Sequence, residues 1–514
     1  MTQAIPSIPF AQRLRGVLPL SHLALLCLLS LAAVAWGALL VAGSEGHEIE
    51  RFTIVAGLYG VASAAFIGSR MRFGALRLFD IPSLVTLVAF LDFGLAPLAC
   101  FLFDVKLDSL VDGDYALFER ALVYVVLGMG AFWAGCRVTS RWAAPAKATS
   151  SGTDAASIQA TPIGRTVICA LVLYTAAFLV KTYLLENFGF GYGASQDAYL
   201  KNLAAMQVAN VVFELGTYAL VILAIERCFH PFSLERKVLF WIVFVPECVW
   251  GLLSGMKGEL LQNFVLVGVA ASVAGRRIRV GWLAATFLGL VMIYPFYNQY
   301  RELVRDRPEQ GMDLSSATEI SVQAFEQASA GSGVQDWVAG GAGSAISRLN
   351  LLQSVAELLN LGPRGRFLQG EERWWMLPFY PFVPRFIWPG KPILDKGRRF
   401  SIAIGIGDQT STALTYPGDL LFEYGVTGLL CGMFLFGIAA QYLTDRFAEA
   451  HDKQRLFVYT GIFLTVLSIF ELDAFDFWST LIRNLVILSA VAWFAYRSPR
   501  SARASRPGAR LCES

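Results

Sequence analysis

The sequence predicts an all-α polytopic membrane protein with about twelve transmembrane helices and one large extracytoplasmic loop. The 514 residues are 55% hydrophobic and 16% charged, with a mean hydropathy of +0.53. Soluble domains carry about 25% charged residues, so this composition excludes an ordinary soluble protein. Apolar runs close to the roughly 20 residues that cross a bilayer recur along the whole chain. Together these observations favour a membrane-embedded helical bundle.

Nine predicted spans precede the large loop and three follow it. The first nine are 17–41, 52–69, 82–103, 117–136, 165–185, 207–227, 238–254, 259–275 and 280–299. The last three are 414–440, 456–473 and 479–496. The run 17–41 is too long for the apolar core of a signal peptide and lacks a small-residue cleavage site. We therefore assign it as a retained first span.

Basic residues alternate between successive connections, which sets the predicted orientation. Of the 42 Lys and Arg residues, 23 lie on one side of the predicted membrane. The short connections on the opposite side are acidic or nearly neutral, so both termini are predicted to be cytoplasmic. The Ala/Ser/Thr-rich segment 139–163 is predicted to be a cytoplasmic linker, and the tail 497–514 is predicted to be disordered.

The segment 300–413 is predicted to be one extracytoplasmic loop between the ninth and tenth spans. Loops of this length usually carry function. This one contains ten arginines and two lysines, and long loops can cross a membrane despite positive charge. The loop is therefore where we expect the functional residues.

Within the loop, the stretch Glu371–Phe400 combines six cationic side chains with eight aromatic ones. Its five prolines exclude a continuous helix, because each removes an N–H donor and restricts the preceding residue. Two interpretations remain open. Guanidinium groups and flat rings suit phosphates and sugar faces. Alternatively, the aromatic residues lie at a membrane interface, where Trp and Tyr are enriched.

Other cationic groups are predicted to face the same side as the loop. Lys257 and Glu259 lie in a tight turn between the seventh and eighth spans, and Arg301 and Arg305 share a helix face after the ninth. Arg348 lies where a Gly-rich turn enters an amphipathic helix, whose N-terminus favours an anion. Several cations around one surface indicate a polyanionic ligand.

Metal, cofactor and nucleic-acid binding find no support in the sequence. The eight cysteines and four histidines show no metal-ligand or paired spacing, so neither a metal, a cofactor nor a disulfide framework is expected. Nucleic acid is not expected as a partner.

Three stretches resemble the Wzy-type O-antigen and oligosaccharide repeat-unit polymerases. They are SGMKGELLQ after the seventh span, SRLNLLQ in the loop, and VPRFIWPGKP followed by GDLLFEYGVTGLL at the tenth span. The resemblance implies a metal-independent glycosyltransferase with a GT-C-like fold and a periplasmic loop in the bacterial inner membrane. Such enzymes transfer a growing glycan from an undecaprenyl-diphosphate carrier onto the next lipid-linked repeat unit. The implied partners are that lipid-linked oligosaccharide and the bilayer, and a chain-length regulator protein is left open.

The implied chemistry assigns a role to each candidate residue. Cations stabilise the charge that develops on the leaving diphosphate, and the predicted contacts are Arg385, Arg348 and Arg301, supported by Lys257, Arg305 and Lys391. A carboxylate orients or deprotonates the acceptor hydroxyl. Glu423 is the first candidate for this base and Glu259 the second. Trp375 and Trp388 are predicted to stack on sugar.

Two alternatives stay open. The O-antigen ligases share the architecture, but the resemblance then calls for a histidine in the large loop, and residues 300–413 contain none. Another polyprenyl-lipid-dependent glycosyltransferase remains in the same class. A transporter of lipid-linked oligosaccharide would need charges lining a cavity across the membrane, whereas these cations gather at one face. We therefore favour the polymerase for O-antigen or exopolysaccharide.

Overall fold

The computed structural model describes residues 47–72, 79–103, 111, 114–142, 163–188, 202–230, 232–254, 257–276, 289, 293, 295–304, 314–329, 343–344, 346–362, 365, 368, 371–407, 411–448 and 452–496. These ranges form helices and turns and contain no strands. Four predictions lie wholly or mostly outside the described residues: the spans 17–41 and 280–299, the linker 139–163 and the tail 497–514.

Eight helices are described in the first half of the chain. They are α1 (His47–Arg72), α2 (Ile81–Phe90), α3 (Ala96–Leu102), α4 (Tyr115–Trp142), α5 (Ile163–Phe188), α6 (Leu203–Phe229), α7 (Leu234–Leu253) and α8 (Lys257–Val273). A π-helical turn, Leu91–Leu95, joins α2 to α3 without a break. The side chain of Asp80 caps α2 by accepting from the backbone N–H of Ser83, and Ser233 caps α7 in the same way through Arg236.

Six helices are described in the second half. They are α9 (Leu314–Ser329), α10 (Leu352–Leu361), α11 (Lys396–Ala403), α12 (Tyr416–Phe447), α13 (Lys453–Leu467) and α14 (Ala474–Tyr496). Short 3₁₀ turns occupy Trp374–Met376 and Ser468–Phe470. The Pro-rich stretch is otherwise a chain of tight turns up to α11, which confirms that it is not a continuous helix.

Seven helical stretches in the described ranges are long and apolar enough to cross a membrane. They are α1, α2 through α3, α4, α5, α6, α12 and α14. The chain is therefore a multi-pass membrane protein, as its composition predicts. Helices α7, α8 and α13 fall on the predicted spans 238–254, 259–275 and 456–473, but they are shorter or carry more charge. The count of twelve spans remains a prediction.

The most extensive helix packing joins α4 to α12 through a pair of glycines. A β-carbon at Gly437 would collide with the carbonyl oxygen of Phe132, and one at Gly135 would collide with the carbonyl oxygen of Phe434. Small residues let membrane helices approach backbone to backbone. The thiol of Cys136 donates to the carbonyl of Gly437 at 3.3 Å across the same contact. This contact fixes the later part of α12, beyond residue 425, against α4.

A polar network holds α1, α2, α12 and α13 together at one end of the bundle, here called the Arg70 end. Arg70 donates to both carboxylate oxygens of Asp80 at 2.7 Å and to Gln441 at 2.7 Å. The hydroxyl of Tyr459 donates to the carbonyl of Phe79 at 2.7 Å. A bidentate guanidinium–carboxylate pair of this kind fixes orientation as well as distance.

Helix α10 packs deep among the long helices. Its apolar residues Leu352, Val355 and Ala356 are buried in the main core. The backbone N–H of Leu351 donates to the carbonyl of Asp92 at 3.2 Å. Asp92 lies near the middle of the span formed by α2 and α3, about 16 Å from either end at ~1.5 Å per residue. The segment 300–413 thus contributes a helix to the interior of the bundle.

Candidate functional site

A buried lysine surrounded by carboxylates lies at the end of the bundle opposite Arg70. The side chain of Lys396, at the start of α11, is 2% exposed. Its Nζ lies 3.1 Å from Glu372 Oε1, 3.4 Å from Asp419 Oδ1 and 2.5 Å from Glu423 Oε1. Burial acts to lower the pKa of Lys396, but the charges of Asp419, Asp473 and Glu423 raise it above its ordinary value. The ammonium is therefore charged. These five residues are called the Lys396 cluster.

Two of the carboxylates come from the first turns of α12. Asp419 and Glu423 are four residues apart, so they share one face of the helix. Thr415 caps the start of the helix, because its hydroxyl accepts from the N–H of Gly418 at 3.1 Å. The same residue adopts a φ of 64°, which is unfavourable for a β-branched side chain. Backbone strain of this kind persists only where the surroundings enforce it. The start of α12 is thus held in position for the cluster.

The same helix is interrupted after Glu423. Gly425 has a φ of 65° and a ψ of −163°, so the segment Tyr416–Tyr424 is a separate helical piece from the remainder of α12. Only glycine adopts this backbone conformation without steric cost. The break lets the first piece of α12 take its own direction.

Asp473 connects the cluster to α14. Its carboxylate accepts from the N–H of Asp476 at 2.9 Å at the beginning of that helix, and the second oxygen of Asp419 accepts from the N–H of Ala474 at 2.9 Å. Burial, followed by the charges of Asp419 and Asp476, raises the pKa of Asp473 to about 8. Asp473 can therefore exchange a proton near neutral pH.

An open apolar groove of about 320 Å³ runs along α12 beside the cluster. Its lining combines residues of the 3₁₀ turn, α12 and α14: Trp374, Leu377, Tyr416, Leu420, Tyr424, Gly428, Gly432, Leu435 and Trp478. Trp374 donates its indole N–H to the hydroxyl of Tyr424 at 2.8 Å. This hydrogen bond joins the 3₁₀ turn to α12 across the groove. The groove extends along α12 to Leu435, which is 56% exposed. It can accept an apolar chain that approaches along α12.

A second polar cluster links α5 through α8. Lys181 donates to both carboxylate oxygens of Glu247 at 2.7 Å, and both side chains are at most 3% exposed. The helices approach closely here, because a β-carbon at Gly216 would lie 2.6 Å from Glu247 Oε1. Glu259 of α8 interacts electrostatically with Lys181 and Glu247 and accepts from the side chain of Gln262 at 2.8 Å.

Arg483 lies between the two clusters. Its Nη2 donates to Glu214 Oε1 at 2.7 Å, and it interacts electrostatically with Asp476 and Lys391. The Arg483 and Glu214 side chains are 23% and 31% exposed, although both lie within spanning helices. Polar groups at that depth usually face a polar cavity.

Of the residues predicted from the sequence, Glu423 lies in the Lys396 cluster. Its side chain is 14% exposed, compared with 2% for Asp419 and 4% for Glu372. Glu423 therefore offers the most accessible carboxylate of these three ion pairs. Glu259 lies in the second polar cluster, and Lys257 begins α8.

Arg385 and Lys391 bind the backbone of their own loop. The two terminal nitrogens of Arg385 donate to the carbonyls of Lys391 and Pro392 at 2.5 and 2.7 Å. Lys391 donates to the carbonyl of Val383 at 3.1 Å and lies 4.2 Å from the ring centre of Tyr380. Burial, followed by the charges of Arg385 and Arg483, lowers the pKa of Lys391 to about 8. The two cations stabilise this loop in the structure.

The remaining predicted residues lie elsewhere. Arg348 is exposed on the helical turn before α10, and Arg301 is half-buried near Tyr297. Trp375 is 67% exposed, whereas Trp388 packs edge-on against Tyr380 at 6.5 Å. Arg305 lies outside the described residues. The predicted convergence of the arginines on one pocket stays a prediction.

Sequence reasoning missed Lys396, Glu372, Asp419 and Asp473. A signal existed for Asp419, because GDLLFEYG places it four residues before Glu423. The other three meet only through the tertiary fold, so no local spacing identifies them.

Comparison with known families matches residues 175–470 to a family described as Domain of unknown function (DUF8712). The chain belongs to this family. Searches of curated proteins and of solved structures found no match. The DUF8712 region begins in α5 and ends at the 3₁₀ turn after α13, so it contains the apolar groove apart from Trp478 and the Lys396 cluster apart from Asp473.

Proposed function

We propose that this protein is a membrane glycosyltransferase that polymerises undecaprenyl-diphosphate-linked oligosaccharide repeat units at the periplasmic face of the bacterial inner membrane. The proposal includes a GT-C-like fold with twelve spans and cytoplasmic termini. It rests on the resemblance to Wzy-type polymerases, and the product is O-antigen or exopolysaccharide.

One observation supports the proposal most directly: the Lys396 cluster adjoins the apolar groove along α12. Tyr424 lines the groove, and the adjacent Glu423 belongs to the cluster. A substrate with an apolar tail and a polar reacting head requires this combination. The tail would lie along α12 toward Leu435, and the head would lie at the carboxylates.

In the proposed reaction, Glu423 is the general base. An acceptor sugar hydroxyl attacks the anomeric carbon of the donor glycan, and its proton passes to the Glu423 carboxylate. The bond from that carbon to the diphosphate oxygen breaks, and the lipid diphosphate leaves with the electron pair. Lys396 orients the Glu423 carboxylate before the transfer, because the two groups are in direct contact.

Stabilisation of the leaving diphosphate is assigned to cations from the sequence prediction. Arg301 and Arg348 are the main candidates, with Lys257 and Arg305 in support. Arg385 and Lys391 act on the same site by holding the aromatic loop in shape, since their donors already bind backbone carbonyls. Trp375 is exposed and available to stack on a sugar ring.

A metal ion is not part of the proposal. The ammonium of Lys396 occupies the position where the carboxylates of Glu372, Asp419 and Glu423 converge. It supplies the positive charge that a divalent cation supplies in other carboxylate clusters.

The test uses a strain that lacks the gene, complemented with single variants. We expect the deletion to accumulate single repeat units on the lipid carrier, and the wild-type gene to restore a ladder of polymer lengths. Glu423→Gln removes the base and should leave single repeat units. Glu371→Gln alters an exposed carboxylate in the loop before α11 and should give the wild-type ladder.

Three results would count against the proposal. Accumulation of completed polymer on the carrier would identify a ligase, and unchanged lipid-linked species in the deletion would exclude both activities. A normal ladder with Glu423→Gln would remove Glu423 from the chemistry. Immunoblots of each variant check that all proteins reach the membrane in equal amounts.

A further inference from the structure

Large apolar side chains project from the Pro-rich loop before α11. Phe379, Phe382, Phe386 and Ile387 are 59%, 42%, 69% and 65% exposed. They are here called the aromatic stripe. Contiguous exposed apolar surface of this kind marks an interaction site on a protein or a membrane.

Most backbone N–H groups beneath the aromatic stripe are satisfied within the loop. From Met376 to Val383, every backbone N–H donates to a carbonyl between Arg373 and Phe379, or is absent because the residue is proline. The N–H groups of Ile387 and Trp388 both donate to the carbonyl of Pro384. A segment that contacts hydrocarbon must satisfy its backbone internally, because lipid offers no hydrogen bonds.

Three carbonyl groups of the loop accept hydrogen bonds from side chains of the same loop. Arg385 donates to the carbonyls of Lys391 and Pro392, and Lys391 donates to the carbonyl of Val383. The hydroxyl of Tyr380 also donates to the Pro392 carbonyl, at 2.9 Å. The loop therefore directs its polar groups inward and its aromatic rings outward, which is the reverse of an ordinary solvent-exposed loop.

The loop is joined to the lipid-facing surface of α12. The indole of Trp374, just before the stripe, donates to the hydroxyl of Tyr424 on α12. Beyond Tyr424, the exposed face of this spanning helix continues through Val426, Leu430 and Leu435. The aromatic stripe thus lies beside a spanning helix that exposes large apolar side chains between Val426 and Leu435. Aromatic residues are enriched where such helices leave the hydrocarbon.

From these observations we infer that the aromatic stripe inserts into the bilayer interface beside the start of α12, so that its partner is membrane lipid. The loop would act as a fixed anchor that places the Lys396 cluster at the level of lipid head groups. This inference is independent of the proposed transferase activity.

Photo-crosslinking of the full chain in its native membrane tests the inference. The photoreactive analogue p-benzoyl-phenylalanine replaces Phe382 or Phe386, which keeps an aromatic ring at each position. The same analogue at Glu371, an exposed residue of the same loop outside the stripe, is the matched control. After irradiation, mass spectrometry of the purified protein identifies the adducts.

We expect phospholipid adducts at both stripe positions and none at position 371. Adducts to a second polypeptide would identify a protein-binding surface, and adducts to glycan would identify a sugar platform. Either result would overturn the inference, as would the absence of lipid adducts at both positions. Thermal unfolding of each substituted protein verifies that the fold is intact.

Discussion

Removal of the positive charge at Lys396 should destabilise the protein far more than removal of a surface charge. In Lys396→Met, the ammonium that contacts Glu372, Asp419 and Glu423 is lost, and the first two of these carboxylates are at most 4% exposed. Each such contact is worth about 4 kcal/mol of Coulomb energy at an effective dielectric constant near 20. Desolvation offsets much of this Coulomb energy. Removing one partner of a buried pair still costs about 3–5 kcal/mol, because the remaining charge is buried without compensation.

The matched comparison is Arg399→Met in the same short helix. Arg399 pairs with Asp395 one turn away, and the two side chains are 28% and 36% exposed. Exposed pairs of this type contribute about 0.3–0.5 kcal/mol. Thermal unfolding of purified protein in lipid nanodiscs should therefore show a large decrease in Tm for Lys396→Met and a small one for Arg399→Met.

The pH dependence provides a second measurement on the same variants. Without Lys396, the buried carboxylates can relieve their cost by binding protons, so Lys396→Met should lose less stability in acid than at neutral pH. Equal decreases in Tm for the two variants would refute the account of the cluster. So would a Lys396→Met effect that does not change with pH.

Three further substitutions test other parts of the structure. The pKa of Asp473 is raised to about 8 in the folded protein. The folded state therefore holds a proton that the unfolded state has lost between about pH 4 and 8, so this group lowers the stability of the wild type as pH rises through that range. Asp473→Asn should flatten that decline in Tm. Gly437→Ala forces a β-carbon against the carbonyl of Phe132 and should cost about 1–3 kcal/mol by overpacking, measured by thermal unfolding. Arg385→Lys loses the two-pronged contact with the loop carbonyls, so hydrogen exchange should accelerate in residues 371–395.

Two of these substitutions have a control variant in the chain, and the third is checked by where exchange accelerates. Gly130→Ala in α4 meets open space and should not lower Tm, because alanine has the higher helix propensity; a decrease matching that of Gly437→Ala would refute the overpacking account. Asp452→Asn, at the capped start of α13, should keep the pH profile that Asp473→Asn loses. Accelerated exchange throughout the bundle in Arg385→Lys would indicate global destabilisation.

Hydropathy alone predicts the fold class because each spanning helix must be apolar along its full length. The long helices α1, α4, α5, α6, α12 and α14 accordingly fall on predicted spans. The π-turn at Leu91–Leu95 and the break at Gly425 alter the helical backbone without changing hydropathy. Neither can therefore be found from apolar run length.

Ion pairs between helices depend on rotation and depth, which one sequence does not specify. Lys181–Glu247 and Arg483–Glu214 join spans separated by 66 and 269 residues, so no local spacing marks them. Asp419 and Glu423 lie on one helix, and their spacing does predict a shared face. The candidate site was thus predictable only where its members belong to a single element.

Arg385 has a structural role in the loop beside the anion contact predicted for it. Its position among aromatics and prolines predicts an anion contact, but its terminal nitrogens bind the carbonyls of Lys391 and Pro392. Prolines remove N–H donors and leave the carbonyls of the loop in excess. A guanidinium supplies donors for those carbonyls, so an arginine can stabilise a Pro-rich loop.

Because α12 breaks at Gly425, the nine residues Tyr416–Tyr424 are positioned by Thr415 and the adjoining loop. Mutations on the lipid side beyond Gly425 can therefore accumulate without rotating Asp419 and Glu423 away from Lys396. Relatives living in thinner or thicker bilayers would need to adjust only that later part of the helix. We expect divergence to concentrate there, while the short leading piece changes slowly.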